Sequence, residues 1–240
     1  MATKESSSDF DIQEIEIQDE ITSKGNFFSN NVQKKLKLIL IGVGIIIIAV
    51  VAVILYNNSK ENRELEASVA LSRVMIYYEN GDYDKALIGD KEKQVRGNVV
   101  IGLKDIVEQY GNTGNGEVAA IYAGNALVAK KNYDEASEYF NKGTGSKSVD
   151  VAISSNAGLA ICAESKNDNS TAADNYNKAA ELSKQPSLQA KYYLYAAMNY
   201  EKKGNTEKAA KLYKEIIKLE VAEYVVDAKS GLTRLGMIIE

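Results

Sequence analysis

Three stretches superpose without a gap: NYDEASEYF at Asn132–Phe140, DNSTAADNY at Asp168–Tyr176 and NTEKAAKLY at Asn205–Tyr213. The alanines Ala136, Ala172 and Ala209 recur after 36 and then 37 residues, and an aromatic (Phe140, Tyr176, Tyr213) follows each by four. Twelve residues before each alanine stands a small residue: Gly124, Ala160 or Ala197. A step of four keeps alanine and aromatic on one helical face. A small residue on a preceding helix lets the second helix pack closely, and the aromatic fills the groove between successive pairs. Turn signals fall where each hairpin must bend, at Lys131-Asn132, Lys166-Asn167-Asp168 and Lys203-Gly204-Asn205. The Asn, Asp or Thr residues there cap the helix that follows. The one proline, Pro186, stands where a helix should start. No sustained alternation and no Asn-Gly between branched residues predicts a strand. The expectation is an all-α chain of stacked helix hairpins.

A fourth copy of the turn and alanine lies earlier, in Gly81-Asp82-Tyr83-Asp84-Lys85-Ala86, after a helix expected over about Asn62 to Glu79. Ala86 and Ala136 are 50 residues apart, so this first unit carries an excess. The excess holds Gly89-Asp90-Lys91-Glu92-Lys93 and then a helix read as roughly Val95 to Tyr110. The first unit is therefore expected to be interrupted near 88–95 by an added helix or loop. A closing helix over about 222–236 should cover the last open face.

Small residue, alanine at plus twelve and aromatic at plus sixteen resemble the tetratricopeptide repeat (TPR) from about Glu117 to Gly236. The period exceeds that family's usual ~34 by two or three. Its early tryptophan is replaced by Ala120, Asn156 and Tyr193, and its boundary proline is missing. The resemblance implies an α-solenoid of TPR-like hairpins.

Upstream, Leu38–Tyr56 reads LILIGVGIIIIAVVAVILY, nineteen residues without charge or proline. About 20 apolar residues cross the ~30 Å hydrocarbon core, and lipid obliges them to be helical. The run is too long for a signal h-region and no Ala-x-Ala follows it, so it reads as an uncleaved single span within a 34–60 anchor segment. Lys34, Lys35 and Lys37 precede it, against Lys60 and Arg63 beyond. That balance predicts a cytoplasmic N-terminus and an exported 61–240. Gly42, Ile45, Ala49, Ala52 and Tyr56 share one face, where a neighbouring helix could pack, although a plain lipid-facing anchor accounts for them equally. Before the span, residues 1–33 hold seven acids against two lysines and read as a disordered acidic cytoplasmic tail. Phe10, Ile12, Ile15, Ile17 and Ile21 give that tail a segment that could fold on a ligand of its own.

Composition weighs against chemistry. The chain has no histidine, one cysteine and a net charge of −4. The commonest general base and transition-metal ligand is thus missing. Cys162 sits in an apolar helical stretch and reads as an inert buried thiol. No phosphate loop, Gly-x-Ser-x-Gly or calcium loop is present. No basic stripe suits nucleic acid. No catalytic residue, cofactor or metal is expected, and the chain does not read as an enzyme.

An N-terminal span, an exported repeat domain and a closing helix together resemble a narrower family, the YfgM-like ancillary subunit of the bacterial SecYEG translocon. The likeness rests on Gly81-Asp82-Tyr83-Asp84-Lys85-Ala86-Leu87, Ile106-Val107-Glu108-Gln109-Tyr110-Gly111-Asn112 and Ala119-Ala120-Ile121-Tyr122-Ala123-Gly124. It implies a single-pass inner-membrane scaffold whose C-terminal domain is periplasmic and meets translocon subunits, periplasmic chaperones or peptides. Scaffolds of envelope assembly or cell-division coordination, and a self-associating structural membrane protein, fit the same elements; a homo-oligomer stays open. By the repeat family's helical phase, the binding wall would hold Val118, Ile121, Asn125 and Val128. It would continue with Ser154, Ile161 and Glu164, then Lys191, Leu194, Met198 and Glu201. That mixture suits a peptide or partner loop, not a carboxylate clamp.

Overall fold

The computed structural model describes the backbone of residues 6–95 and 97–237, with side chains described for 35–37 and from 41 onward apart from 96. It divides into two units, Met1–Ser59 and Lys60–Glu240.

The described residues of the first unit lie within α1 (Ser6–Glu79). The tail expected over 1–33 falls on residues that lie outside the described ones (1–5) or whose side chains do; the backbone from Ser6 belongs to α1. No proline interrupts this stretch, and acids near a helix N-terminus suit its dipole. Among the described residues, α1 contains the one stretch long and apolar enough to cross a membrane. Its mean hydropathy reaches 3.5 over eighteen residues, with no part of that window buried.

The second unit begins with the end of α1. There follow α2 (Tyr83–Ile88), β1 (Gly89–Val95), β2 (Asn98–Ile101), α3 (Leu103–Tyr110), α4 (Gly114–Ala129) and α5 (Tyr133–Gly143). The chain continues through α6 (Val149–Ser165), α7 (Asn169–Leu182), α8 (Pro186–Lys202), α9 (Thr206–Lys218) and α10 (Ala222–Arg234). Each helix from α3 to α9 packs on its successor, and the first helices of neighbouring pairs meet where α4 touches α6 and α8 touches α10. This is a helical solenoid.

One turn joins the two helices in each of four pairs, and the same closure ends α10 at Gly236. Gly81, Lys131, Asn167 and Gly204 have φ of 74°, 61°, 59° and 81°. The next residue's amide closes back five positions: Asp82 to Tyr77, Asn132 to Leu127, Asp168 to Ala163 and Asn205 to Tyr200, all at 2.8–2.9 Å. This left-handed closure satisfies the carbonyls of the ending helix. The same residue then caps the next helix. Asp82 accepts from Lys85 N at 3.2 Å, Asp168 from Thr171 N at 3.1 Å and Asn205 from Lys208 N at 3.2 Å. Asn132 differs: its amide donates to Glu135 Oε2 at 2.7 Å. The turn at Gly81 marks the first pair as a copy of the other three.

The interruption in that pair is a β-hairpin, which the sequence reading did not expect. β1 and β2 pair antiparallel with a bulge between Asp90 and Gln94. The helix expected from Val95 starts at Leu103 instead. Val95, Val99, Val100 and Ile101 are branched and favour strand, and Gly97, at φ 78°, reverses the chain. Val100 is fully buried beside Leu87, Leu103 and Ile106. The base is closed by Gly89, where a Cβ would lie 2.3 Å from Val100 O. Asp90 pins the hairpin to the helices. It accepts from the Tyr77 hydroxyl at 2.6 Å and from Lys85 Nζ at 3.1 Å. The Tyr77 hydroxyl, then Lys85, hold its carboxyl down to about 2. Nearby, Glu64 binds the first amides of α4, Gly114 N at 2.7 Å and Asn115 N at 2.8 Å, tying α1 to the α3–α4 turn.

Alanine dominates the core. Ala119, Ala123, Ala136, Ala160, Ala172, Ala173, Ala196, Ala197 and Ala209 are all inaccessible. The small side chains allow close helix approach, and the large ones sit at the junctions between pairs. Phe140 is wedged between Gly124 and Gly158; a Cβ at either glycine would come within 2.6 Å of the ring. Tyr213 meets Gly231 in the same way, at 2.4 Å.

Candidate interaction surface

The repeat positions organise a surface as well as a core. Twelve residues before each junction aromatic stand Val128, Glu164 and Glu201. The Tyr176 hydroxyl donates to Glu164 Oε2 at 2.9 Å, and the Tyr213 hydroxyl to Glu201 Oε2 at 2.7 Å. The first helix of the following pair completes each group. Asn199 Nδ2 donates to Glu164 Oε1 at 2.7 Å, while Arg234 Nε and Nη2 grip Glu201 at 2.9 and 3.0 Å. Arg234, then Tyr213, hold the Glu201 carboxyl below its ordinary range. Burial, then the bond to the carboxylate, push the Tyr176 and Tyr213 hydroxyls well up. At the earlier junction Val128, Phe140 and Cys162 occupy the corresponding places in one apolar cluster. The Cys162 thiol is pushed up by burial.

Glu164 and Glu201, expected on the binding wall, are therefore joined to groups that tie one repeat to the next. Leu194 is only 7 % exposed and belongs to the second core cluster. Ile121, Val128 and Val118 pack against the first. Ser154 is half-buried. Asn125, Ile161 and Met198 remain open to solvent at equivalent places on α4, α6 and α8, 36 and 37 residues apart.

Tyr195 joins these exposed residues, and the sequence reading omitted it. It is one turn from both Lys191 and Met198 on α8. Its ring meets Tyr176 edge-on at 5.3 Å and Tyr192 at 6.5 Å. Lys191 Nζ lies 5.8 Å from the Tyr192 centroid and 5.9 Å from that of Tyr195. The available signal was the run Tyr192-Tyr193-Leu194-Tyr195, dense in aromatics for the first helix of an alanine-rich pair. The exposed residues are thus the polar Asn125 on α4, the apolar Ile161 on α6, and Met198 and Tyr195 on α8, where Lys191 and an ordered tyrosine cluster back them. Such residues offer contact area and orientation to a peptide. Among the described residues no three His, Cys, Asp or Glu side chains converge to hold a metal ion.

No curated protein gives a significant match to this chain. Residues 27–160, more than half of the chain, match the family described as "Tetratricopeptide repeat-like domain". The match ends within α6, yet the same turn, alanine and aromatic recur in α6–α7 and α8–α9, beyond its end. The chain belongs to the tetratricopeptide repeat-like domain family.

Proposed function

We propose that this chain is a single-pass membrane scaffold, non-catalytic, whose repeat domain captures protein partners on the exported side. Family membership supports a role in protein–protein contact. The apolar stretch in α1 supports anchoring through Leu38 to Tyr56, with the preceding lysines directing the N-terminus to the cytoplasm. The observation that carries the reading is the exposure of Ile161, Tyr195 and Met198 on the first helices of successive pairs. Elsewhere along α6 and α8 the apolar side chains are mostly spent on packing.

The finer assignment is to the protein-export translocon, with chaperones or emerging peptides as partners at the bacterial inner membrane. It rests on the likeness of the three motifs around Gly81, Ile106 and Ala119 to the YfgM-like family. A combined Ile161→Ser, Tyr195→Ser and Met198→Ser variant tests the scaffold reading. Crosslinking in intact membranes, followed by identification of the attached proteins, should show most adducts lost while circular dichroism stays helical. Unchanged adducts would reject this surface. Recovery of division or envelope-assembly proteins in place of translocon subunits would redirect the partner assignment.

A further inference from the structure

The two ends of the repeat stack are finished differently. At the C-terminal end α10 covers α8 and α9. At the other end α1 buries Ala67, Ala70, Leu71, Val74 and Tyr77, while its opposite face keeps Leu65 at 65 %, Val69 at 37 % and Ile76 at 48 % exposure. A solenoid end needs a polar outer face or a cover. Beside this face Val99 and Tyr110 line a groove of about 620 Å³ with Leu65 and Val69.

We infer that this face of α1 pairs with the same face of a second copy, as a short parallel coiled coil. Asn62, Leu65, Val69, Ser72 and Ile76 are spaced 3, 4, 3 and 4, the a/d alternation of a heptad. The buried residues Ala67 and Val74 fall at f, Ala70 and Tyr77 at b, and Leu71 at c, so the residues packed in the core lie off the seam, while Leu65 and Val69 border the groove to β2 and α3. An asparagine at an a position, here Asn62, is the residue that fixes register in parallel dimers. The inference rests on the anchor reading: copies inserted through one span have the same sense across the bilayer, which supplies a parallel partner of identical sequence. Glu61 at g and Glu66 at e would face each other with like charge across the pair, so the association is reversible and tunable.

Single cysteines at Leu65, Val69, Ser72 and Ile76 of the full chain in native membranes test the pairing, with Lys178 and Lys211 as exposed controls and the buried Cys162 retained. Oxidation should give homodimer bands at the four stripe positions at least about fivefold stronger than at the controls, because disulfides demand a close Cβ approach. Glu66→Lys should raise the yield at Val69→Cys about twofold by converting the flanking repulsion into attraction. Equal weak bands everywhere, or adducts to a different protein at the stripe, would overturn the pairing. Alkaline extraction of the same membranes separates the two readings. Release from the membrane with the stripe pattern intact would defeat the anchor and keep the pairing; retention without the pattern would do the reverse.

Discussion

The junction at Phe140 and the junction at Tyr213 solve one packing problem with different chemistry. Phe140 is wedged between Gly124 and Gly158, in an apolar cluster that also takes in Val128 and Cys162. Tyr213 fills the corresponding place against Gly231, but its hydroxyl reaches Glu201, which Arg234 holds from the next helix. The ring shape is shared and the polar tip is optional. Where the tip is present its partners must be present too, because a buried hydroxyl without a bond costs stability. The apolar junction depends on shape alone, and the polar one depends on shape and pH.

The largest expected effect breaks the shape. Phe140→Ala should destabilise the domain by about 3–5 kcal/mol, the range for emptying an aromatic site. Urea unfolding of the full chain in detergent measures it, and the loss should be the same at pH 7 and pH 4. Next comes a graft of polar chemistry onto the apolar junction. Phe140→Tyr alone buries a hydroxyl near Val128 and should cost about 1–3 kcal/mol. Adding Val128→Glu should recover part of that loss, whereas a double variant worse than the sum would show that Cys162 and its neighbours cannot accommodate the pair.

Acid should separate the junctions further. The Glu201 carboxyl is depressed in the fold, so its contribution is present above the unfolded carboxylate range and lost as pH falls through the folded value. Asp90, held to about 2, follows the same sign over a window from about pH 4 down to 2. Thermal unfolding of the native chain against Glu201→Gln should show a native advantage at pH 7 that shrinks towards pH 3. The smallest effect concerns the shared turn. Lys131 adopts φ 61° where the first and last copies use glycine. Lys131→Gly should stabilise by up to about 1 kcal/mol, visible as a modest rise in melting temperature.

The repeats were readable because their signals are local: an alanine, an aromatic four later and a turn residue. The hairpin was not, because its bulge places Lys91, Glu92 and Lys93 outside the pairing and hides any alternation. Only Val99-Val100-Ile101 remains as strand signal, too short to outweigh the helical surroundings. Exposure along the expected wall was half legible. Helical phase placed Asn125, Ile161 and Met198 in the open but could not separate Leu194 from Tyr195, one residue apart and facing core and solvent respectively. Nor could spacing distinguish a glutamate meant for a partner from Glu164 or Glu201, whose bonds come from helices twelve and more than thirty residues away.

Site-specific photocrosslinking in intact membranes tests the central claim most directly. A photoreactive side chain placed in turn at Ile161, Tyr195 and Met198 should capture the same partner from all three first-helix positions. The same group at Lys211, exposed on a second helix, should capture little. Capture from Lys211 with silence at Ile161, Tyr195 and Met198 would contradict the account.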